Sequence, residues 1–436
     1  MISKRESRTG RRRVGITGWG IVSPLGVTAD ETFAAAAEGR SGIRALEAFD
    51  ARGLPCTVGG QVPEERLPAH PPGVDPASAR LMSRAVRWMM HAADEACIQS
   101  GLPFSADPAR VAVVLGAHGD NPGLEAVLFF NRLRTAPGEW DIPGLLGQPG
   151  YDAFQICRRK PDTGTALLAR RYGFRGPGLT LVSACAAGAQ AVGEATRLIR
   201  EGYCDAALAG GCEATLTFVG FTGFVLLKAL AEKYTRPEAA SRPFDRKRSG
   251  FVMSEGAGAL VLEDFEHARA RGAEILGEVL GYGDSADAYR ITDVHPEGAG
   301  AVLAMRGALA DAGLGPEAVE YVNAHGTSTL LNDATETRAL KTVLGERARE
   351  VPVSSNKSML GHTIGAAGAI EAILTLMGMR ASILLPTLNY EHPDPKCDLD
   401  YVPNTARPKA HRVALSNSFG FGGQNACLCL GEGCRL

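Results

Sequence analysis

The sequence predicts an α/β protein whose strands are covered on both faces and whose second half repeats the plan of the first. Two observations carry this. Ten short apolar runs recur along 436 residues, each followed by a glycine-rich turn and a stretch of helical period. Apolar runs without polar alternation are what strands look like when both faces of the sheet are buried. The runs fall five to a half in similar order, which points to a duplicated unit, although the halves are not obviously alike in sequence. Composition agrees: 45% hydrophobic and 22% charged residues are ordinary for a globular chain, and 53 glycines supply tight turns and close backbone approaches.

The opening "MISKRESRTGRRR" is short and basic and lacks an apolar core, so residues 1–13 read as a flexible arm rather than a targeting peptide. The first half, 14–266, carries "VGITGWG" (14–20), "VAVVLGA" (111–117), "LTLVSA" (179–184), "DAALAGG" (205–211) and "GALVLED" (258–264). Between its second and third runs, 134–164 is rich in turn residues, a long irregular excursion suited to function or to an interface. The second half, 267–436, carries "GEVLGYG" (277–283), "VEYVNA" (319–324), "VPVSSN" (351–356), "RVALSNS" (412–418) and "ACLCLG" (426–431).

Several function classes are set aside at this level. A formal net charge of -2 leaves no overall basic field for nucleic acid. The uncharged stretches 176–193 and 214–227 are broken by Gly, Pro or polar residues, so no membrane span is expected. Ten cysteines show neither the spacing of a disulfide module nor that of a zinc site, and read as reduced thiols of a cytoplasmic protein. Cys427 and Cys429 alternate as one face of a buried strand.

The chemistry-bearing residues gather at strand ends, where open α/β sheets bind ligands. Cys185 follows "LTLVSA", and a helix starting beyond it would point free N–H groups at the sulfur and favour thiolate. Tiny neighbours (Ala186, Ala187, Gly188) leave room for a carbonyl. His325 sits in "NAHGTST", and Lys357 and His362 open "KSMLGHTIGAAGAIE", which ends at Glu371. Two histidines and a lysine suit a developing oxyanion or enolate. Taken singly, each would read as a structural group, Lys357 as a surface cation and Glu371 as a solvated helix residue. "NSFGFGGQN" (417–425) does not match a nucleotide motif and suits a mobile loop whose backbone N–H binds an oxyanion. "RPFDRKRSGFVMSEGAGALVLE" (242–263) reads as structural ion pairs followed by a strand, with no catalytic role.

Together "SACAAGAQ", "NAHGTST", "KSMLGH…GAAGAIE", "RPFD…GF…EGAG" and "NSFGFGG" resemble the elongating type II β-ketoacyl-[acyl-carrier-protein] synthases, over nearly the whole chain. The resemblance implies a thiolase fold: two βαβ-rich halves with five-stranded mixed sheets in αβαβα layers, normally dimeric. It implies Cys185 as the acyl-accepting nucleophile, with His325 and His362 holding the malonyl thioester carbonyl. Lys357 would support His362 and pair with Glu371, with Asp333 and Glu336 in the supporting network. Thr327 and Thr329 would contact pantetheine. The backbone N–H groups of Cys185 and Phe419 would form the oxyanion hole, and Phe419 and Phe421 would gate the acyl pocket. The implied reaction is decarboxylative condensation with malonyl-carrier, without metal or organic cofactor. The implied partners are acyl carrier protein and either a second copy or a chain-length-factor-like subunit.

The chain departs from the family at Gln424, at His118 and Asp120 beside the implied acyl pocket, and across 134–164. These leave primer, chain length and partner open, and tilt the reading towards a polyketide or polyene pathway over housekeeping fatty-acid elongation. A chain-length subunit typically lacks the active cysteine, which is present here. A degradative thiolase would carry a second cysteine where this chain has "FGFGGQN", and an initiating synthase would carry asparagine in place of His362. A papain-like hydrolase would need Cys, His and Asn in another context. Arg290 reads equally as a phosphopantetheine contact and as a surface arginine. Arg80, Arg84 and Arg87 in "RLMSRAVRWM" offer a basic helical face for an acidic carrier or simply a solvated face.

Overall fold

All ten expected strands form and hydrogen-bond into one sheet in a computed structural model that describes residues 11–104, 106–119, 123–147 and 154–433. The first five are β1 (Val14–Val22), β2 (Val111–Gly116), β3 (Gly178–Leu181), β4 (Ala206–Glu213) and β5 (Gly256–Asp264). The others are β6 (Gly277–Ala286), β7 (Tyr321–Asn323), β8 (Val353–Ser354), β9 (Val413–Phe419) and β10 (Gln424–Glu432). In space they run β8-β7-β9-β10-β6-β1-β5-β4-β2-β3. The two sets of five therefore share one order, β3-β2-β4-β5-β1 and β8-β7-β9-β10-β6. Pairing repeats as well: β2 is parallel to β3 and β4, and β7 is parallel to β8 and β9, while the remaining pairs within each set are antiparallel. The sets join edge to edge through two residue pairs only, Gly15 with Glu278 and Ile16 with Gly277.

Helices complete five layers. On the outer face of the first set lie α1 (Arg84–Ser100) and α2 (Thr163–Tyr172). Between the sets lies α3 (Ala187–Arg200). α4 (Ala299–Ala312) and α5 (Leu330–Leu344) cover the outer side of the second set, and α6 (Ala367–Ala381) joins α3 in the middle. Burial on both faces explains the continuous apolar runs. Along β2, Val111, Val113 and Leu115 pack with Trp88 and Met89 of α1, whereas Ala112 and Val114 pack with the middle layer. Along β10, Ala426, Leu428 and Leu430 face the middle, and Cys427 and Cys429 face the outer layer.

The stretch Ile364–Ala381 is long and apolar enough to cross a membrane, yet 89% of it is buried inside the protein, as befits a core helix. α3 and α6 approach closely through glycine. A Cβ on Gly368 would lie 2.5 Å from the Ala189 backbone nitrogen, and one on Gly188 2.7 Å from the Gly365 carbonyl oxygen. Gly368→Ala is therefore expected to cost about 1–3 kcal/mol, read as a lowered urea midpoint; an unchanged midpoint would mean the layers can part freely.

Three expectations change. Residues 134–164 are not irregular throughout: Arg134–Ala136 and Glu139–Trp140 form a hairpin, followed by helices Ile142–Gly147 and Phe154–Arg159. The Pro and Gly residues there punctuate short elements, and Trp140, Ile142, Leu146 and Ile156 are exposed. The "RLMSRAVRWM" stretch is not one helix, because Ser83 breaks it and caps α1 by accepting from the Val86 N–H. Its cations are engaged within the chain: Arg84 pairs with Glu64 and Glu255, Arg87 with Glu64, and Arg80 lies over the Phe154 ring. Of the basic arm, residues 1–10 lie outside the described residues, whereas Arg11, Arg12 and Arg13 pair with Asp311, Asp205 and Glu278.

Candidate active site

The nucleophile candidate sits where β3 runs into α3. Ala184 adopts φ 48, a left-handed conformation uncommon for a residue with a side chain, and starts a single 3-10 turn, Ala184–Ala186, before α3 begins at Ala187. That turn aims Cys185, buried among apolar residues, at the second half of the chain. Such backbone strain is characteristic of functional positions.

His325 follows β7 and is held by its backbone. Glu336 on α5 accepts from the His325 N–H at 2.9 Å and the Gly326 N–H at 2.8 Å, and its place is fixed by the Asn417 amide at 3.1 Å. Asp333, one turn earlier, accepts from the Phe244 N–H at 2.7 Å and from the Asn332 amide, and thereby ties the "RPFD" segment to the site. Lys357 and Glu371 form an ion pair that is almost fully buried, and Asn323 also donates to Glu371. His362 hangs from its own N–H, which donates to the Val252 carbonyl at 2.7 Å.

These segments converge. His362 Nε2 lies 2.9 Å from Cys185 Sγ, and the two histidine rings stand 5.3 Å apart, nearly perpendicular. The sulfur and one nitrogen of each histidine all fall within 4.8 Å of one another. A cavity of about 330 Å³ reaches them from the surface, with Thr327 and Thr329 on its wall. The two threonine hydroxyls lie 3.0 Å apart, and that of Thr329 also caps α5.

The electrostatics differ from the sequence expectation for the thiol. Burial is the largest influence and pushes Cys185 up to about 12; Lys357 and the Phe421 N–H pull it down, and Glu213 pushes it further up. Loss of water around the sulfur outweighs the helix end. Burial, reinforced by the Lys357 cation, holds His325 and His362 well below the usual histidine range. Both rings are therefore neutral near pH 7, each with one N–H to donate, and each has a buried Nδ1 without a partner among the described residues.

The end of β9 and the loop beyond it divide two phenylalanines. Phe419 is buried and packs on His325 at 5.6 Å between centroids. Phe421 is at the cavity wall, partly stacked on Phe224, and its backbone N–H is the one directed at the Cys185 sulfur. The N–H directed at the sulfur is therefore that of Phe421, in the turn beyond β9, and not that of Phe419, which ends the strand opposite Asn425.

Of the other singled-out residues, His118 donates through Nδ1 to Glu213 at 2.7 Å. Gln424 opens β10, its carbonyl accepting from the Gly420 N–H. Arg290 is exposed and paired with Asp293, which lies on the cavity wall. Asp120 lies outside the described residues. The ion pairs read from 242–263 are present, as Arg248 pairs with Asp394 at 2.7 Å. The same segment, though, supplies Phe251, whose ring meets His362 edge-on at 5.4 Å. Only the unusual Gly250 before it, at φ 146, marks the bend that brings it in.

Comparison with known proteins agrees with this geometry. The family model for the beta-ketoacyl synthase N-terminal domain matches residues 11–268, and that for the C-terminal domain matches 276–391. The chain is 41% identical over 421 residues to 3-oxoacyl-[acyl-carrier-protein] synthase 2 of Synechocystis sp., covering 96% of this chain and 97% of the relative. It is equally 41% identical, over 430 residues, to a putative polyketide beta-ketoacyl synthase 1 of Streptomyces cyaneus, covering 97% and 99%. Among solved structures, a type II PKS ketosynthase bound to the hexaketide, in complex with its acyl-carrier protein, superposes with TM-score 0.86 at 34% identity, covering 97% of this chain and 99% of that one. The ishigamide ketosynthase/chain length factor superposes with TM-score 0.84 at 35% identity, covering 97% and 100%. Matched by both domain models over most of its length and 41% identical to such a synthase along nearly its whole length, the chain belongs to the beta-ketoacyl synthase family of condensing enzymes.

Proposed function

We propose that this enzyme carries out decarboxylative condensation of an acyl group held on Cys185 with malonyl-carrier, giving a 3-oxoacyl-carrier two carbons longer in a type II polyketide or polyene pathway. The 2.9 Å approach of His362 Nε2 to Cys185 Sγ carries this reading. The sulfur attacks the acyl thioester as its proton passes to His362, and the tetrahedral oxygen is held by the Cys185 and Phe421 N–H groups. The departing carrier thiolate recovers that proton. Malonyl-carrier, threaded past Thr327 and Thr329, then loses carbon dioxide, and its enolate oxygen accepts from the two neutral imidazoles. The enolate carbon attacks acyl-Cys185 and expels the sulfur as thiolate, which takes up a proton from solvent to restore the thiol. No metal or organic cofactor enters these steps.

The partners follow from the same reading. The carrier protein presents both substrates at the cavity mouth, and a second copy or a chain-length-factor-like subunit completes the assembly in the cytoplasm. Relatives that match structurally include a ketosynthase solved with its acyl-carrier protein and one solved with a chain length factor.

The test is to supply malonyl-carrier with primers of graded length and polarity, and to identify the acyl group on Cys185 and the product by mass spectrometry. Polyketide or polyene-like acyl groups on Cys185 support the proposal; saturated fatty acyl chains alone would assign the enzyme to housekeeping elongation, and no adduct would refute it. A pH profile adds a second check. With both histidines neutral, carbon dioxide release from malonyl-carrier should stay flat, within about twofold, between about pH 6 and 8. A limb centred near 6.5 would show that an imidazolium takes part.

A further inference from the structure

We infer that His118 is a positioning residue for the active site: with Glu213 it fixes the turn that follows His362, and it shields the Cys185 sulfur from the Glu213 charge. The duplication leads to it. The second strand of each set is followed by the same tripeptide, Ala-His-Gly, in "LGAHG" (115–119) at the end of β2 and "VNAHG" (322–326) at the end of β7, with left-handed glycines at Gly119 (φ 76) and Gly326 (φ 36). The turns entering the two middle helices also match, "SACAAGA" (183–189) and "TIGAAGA" (363–369), with left-handed Ala184 (φ 48) and Ile364 (φ 43). His118 is therefore the counterpart of His325, and Gly365 the counterpart of Cys185.

The counterpart site holds no nucleophile, and its space is filled. A Cβ on Gly365 would lie 3.0 Å from His118 Nδ1 and 3.1 Å from Glu213 Oε2. Instead, Glu213, buried at the end of β4, accepts from both the His118 ring at 2.7 Å and the Gly365 N–H at 3.2 Å. Gly365 lies three residues beyond His362, so this carboxylate anchors the segment that sets the His362–Cys185 distance. Its charge also reaches the thiol and opposes its ionisation, alongside the favourable Lys357 charge and the neutral His325 and His362. His118 is the titratable group facing Glu213 here. Burial disfavours its cationic form, but the hydrogen bond and charge of Glu213 outweigh this and raise its pKa, so it can hold a countercharge.

This rests on Cys185 being the reactive thiol, not on which reaction it serves, so the test uses alkylation of the full-length enzyme by iodoacetamide, followed at the Cys185 peptide by mass spectrometry. Below the thiol pKa the rate tracks the thiolate fraction, so half a pH unit is roughly a threefold change. His118→Asn, which keeps a donor but cannot ionise, should slow alkylation roughly threefold or more at about pH 6, where a histidine raised above its ordinary value carries its charge, and displace the pH profile upward there. Glu213→Gln should speed alkylation by a similar factor, and the double variant should match Glu213→Gln. A wild-type profile for His118→Asn, or slow alkylation persisting in the double variant, would overturn the proposal. A role in packing alone would slow condensation without moving the profile. His118→Gln provides the same comparison should the asparagine variant not fold. Unreactive Cys185 in the wild type would instead count against the proposed condensation.

Discussion

Cys185→Ala is expected to lose the covalent acyl-enzyme completely and to lower condensation by about four orders of magnitude or more, since the covalent route then has no acceptor. Among the described cysteines only Cys185 has an imidazole nitrogen at 2.9 Å, and most of the others are packed into the core. The variant keeps His325, His362 and the buried Lys357–Glu371 pair, so it should still bind malonyl-carrier and release carbon dioxide. Intact-protein mass spectrometry after incubation with acyl-carrier checks the first part, and carbon dioxide release checks the second. A stoichiometric acyl adduct on the alanine variant would remove Cys185 from its role.

The second large effect concerns the ion pair beneath the histidines. Glu371→Leu leaves the Lys357 ammonium buried without a countercharge, and a loss of about 3–5 kcal/mol is expected in urea unfolding. Lys357→Met should cost less, because burial already raises the Glu371 pKa and the orphaned carboxyl can take up a proton. The double variant Lys357→Met/Glu371→Leu replaces the pair with apolar side chains and should recover most of the stability. It should not recover activity, because the cation that helps keep both histidines neutral is gone. A loss below about 1 kcal/mol for Glu371→Leu would mean that the pair is not held as two buried charges.

Much of the fold was legible because its signals are local. Each of the ten apolar runs became a strand, since burial on two faces leaves a continuous apolar signature. Cys185, His325, Lys357 and His362 were legible because each follows a strand, whereas Glu371, inside α6, was marked only by the family resemblance. Less was legible where outcome depends on packing. "RLMSRAVRWM" has helical spacing throughout, yet Ser83 makes a better cap than a helix interior, and Glu64 and Glu255 from elsewhere claim its arginines. Residues 134–164 looked irregular because short helices and a hairpin are too brief to show a period.

By itself the sequence determined the α/β class, the repeated plan and the set of residues that carry the chemistry, because strand periodicity and strand-end motifs are written in neighbouring residues. Only the tertiary structure decided how those residues act on one another. It joined the two sets of strands by two residue pairs, placed the Phe421 N–H rather than that of Phe419 at the sulfur, and set His118 against Glu213. It also reversed the expected thiol, since the helix end favours thiolate locally but burial across the whole site favours the protonated form. The reason is common to all of these: distances between halves of the chain and exclusion of water arise from packing, and no local stretch of sequence encodes them.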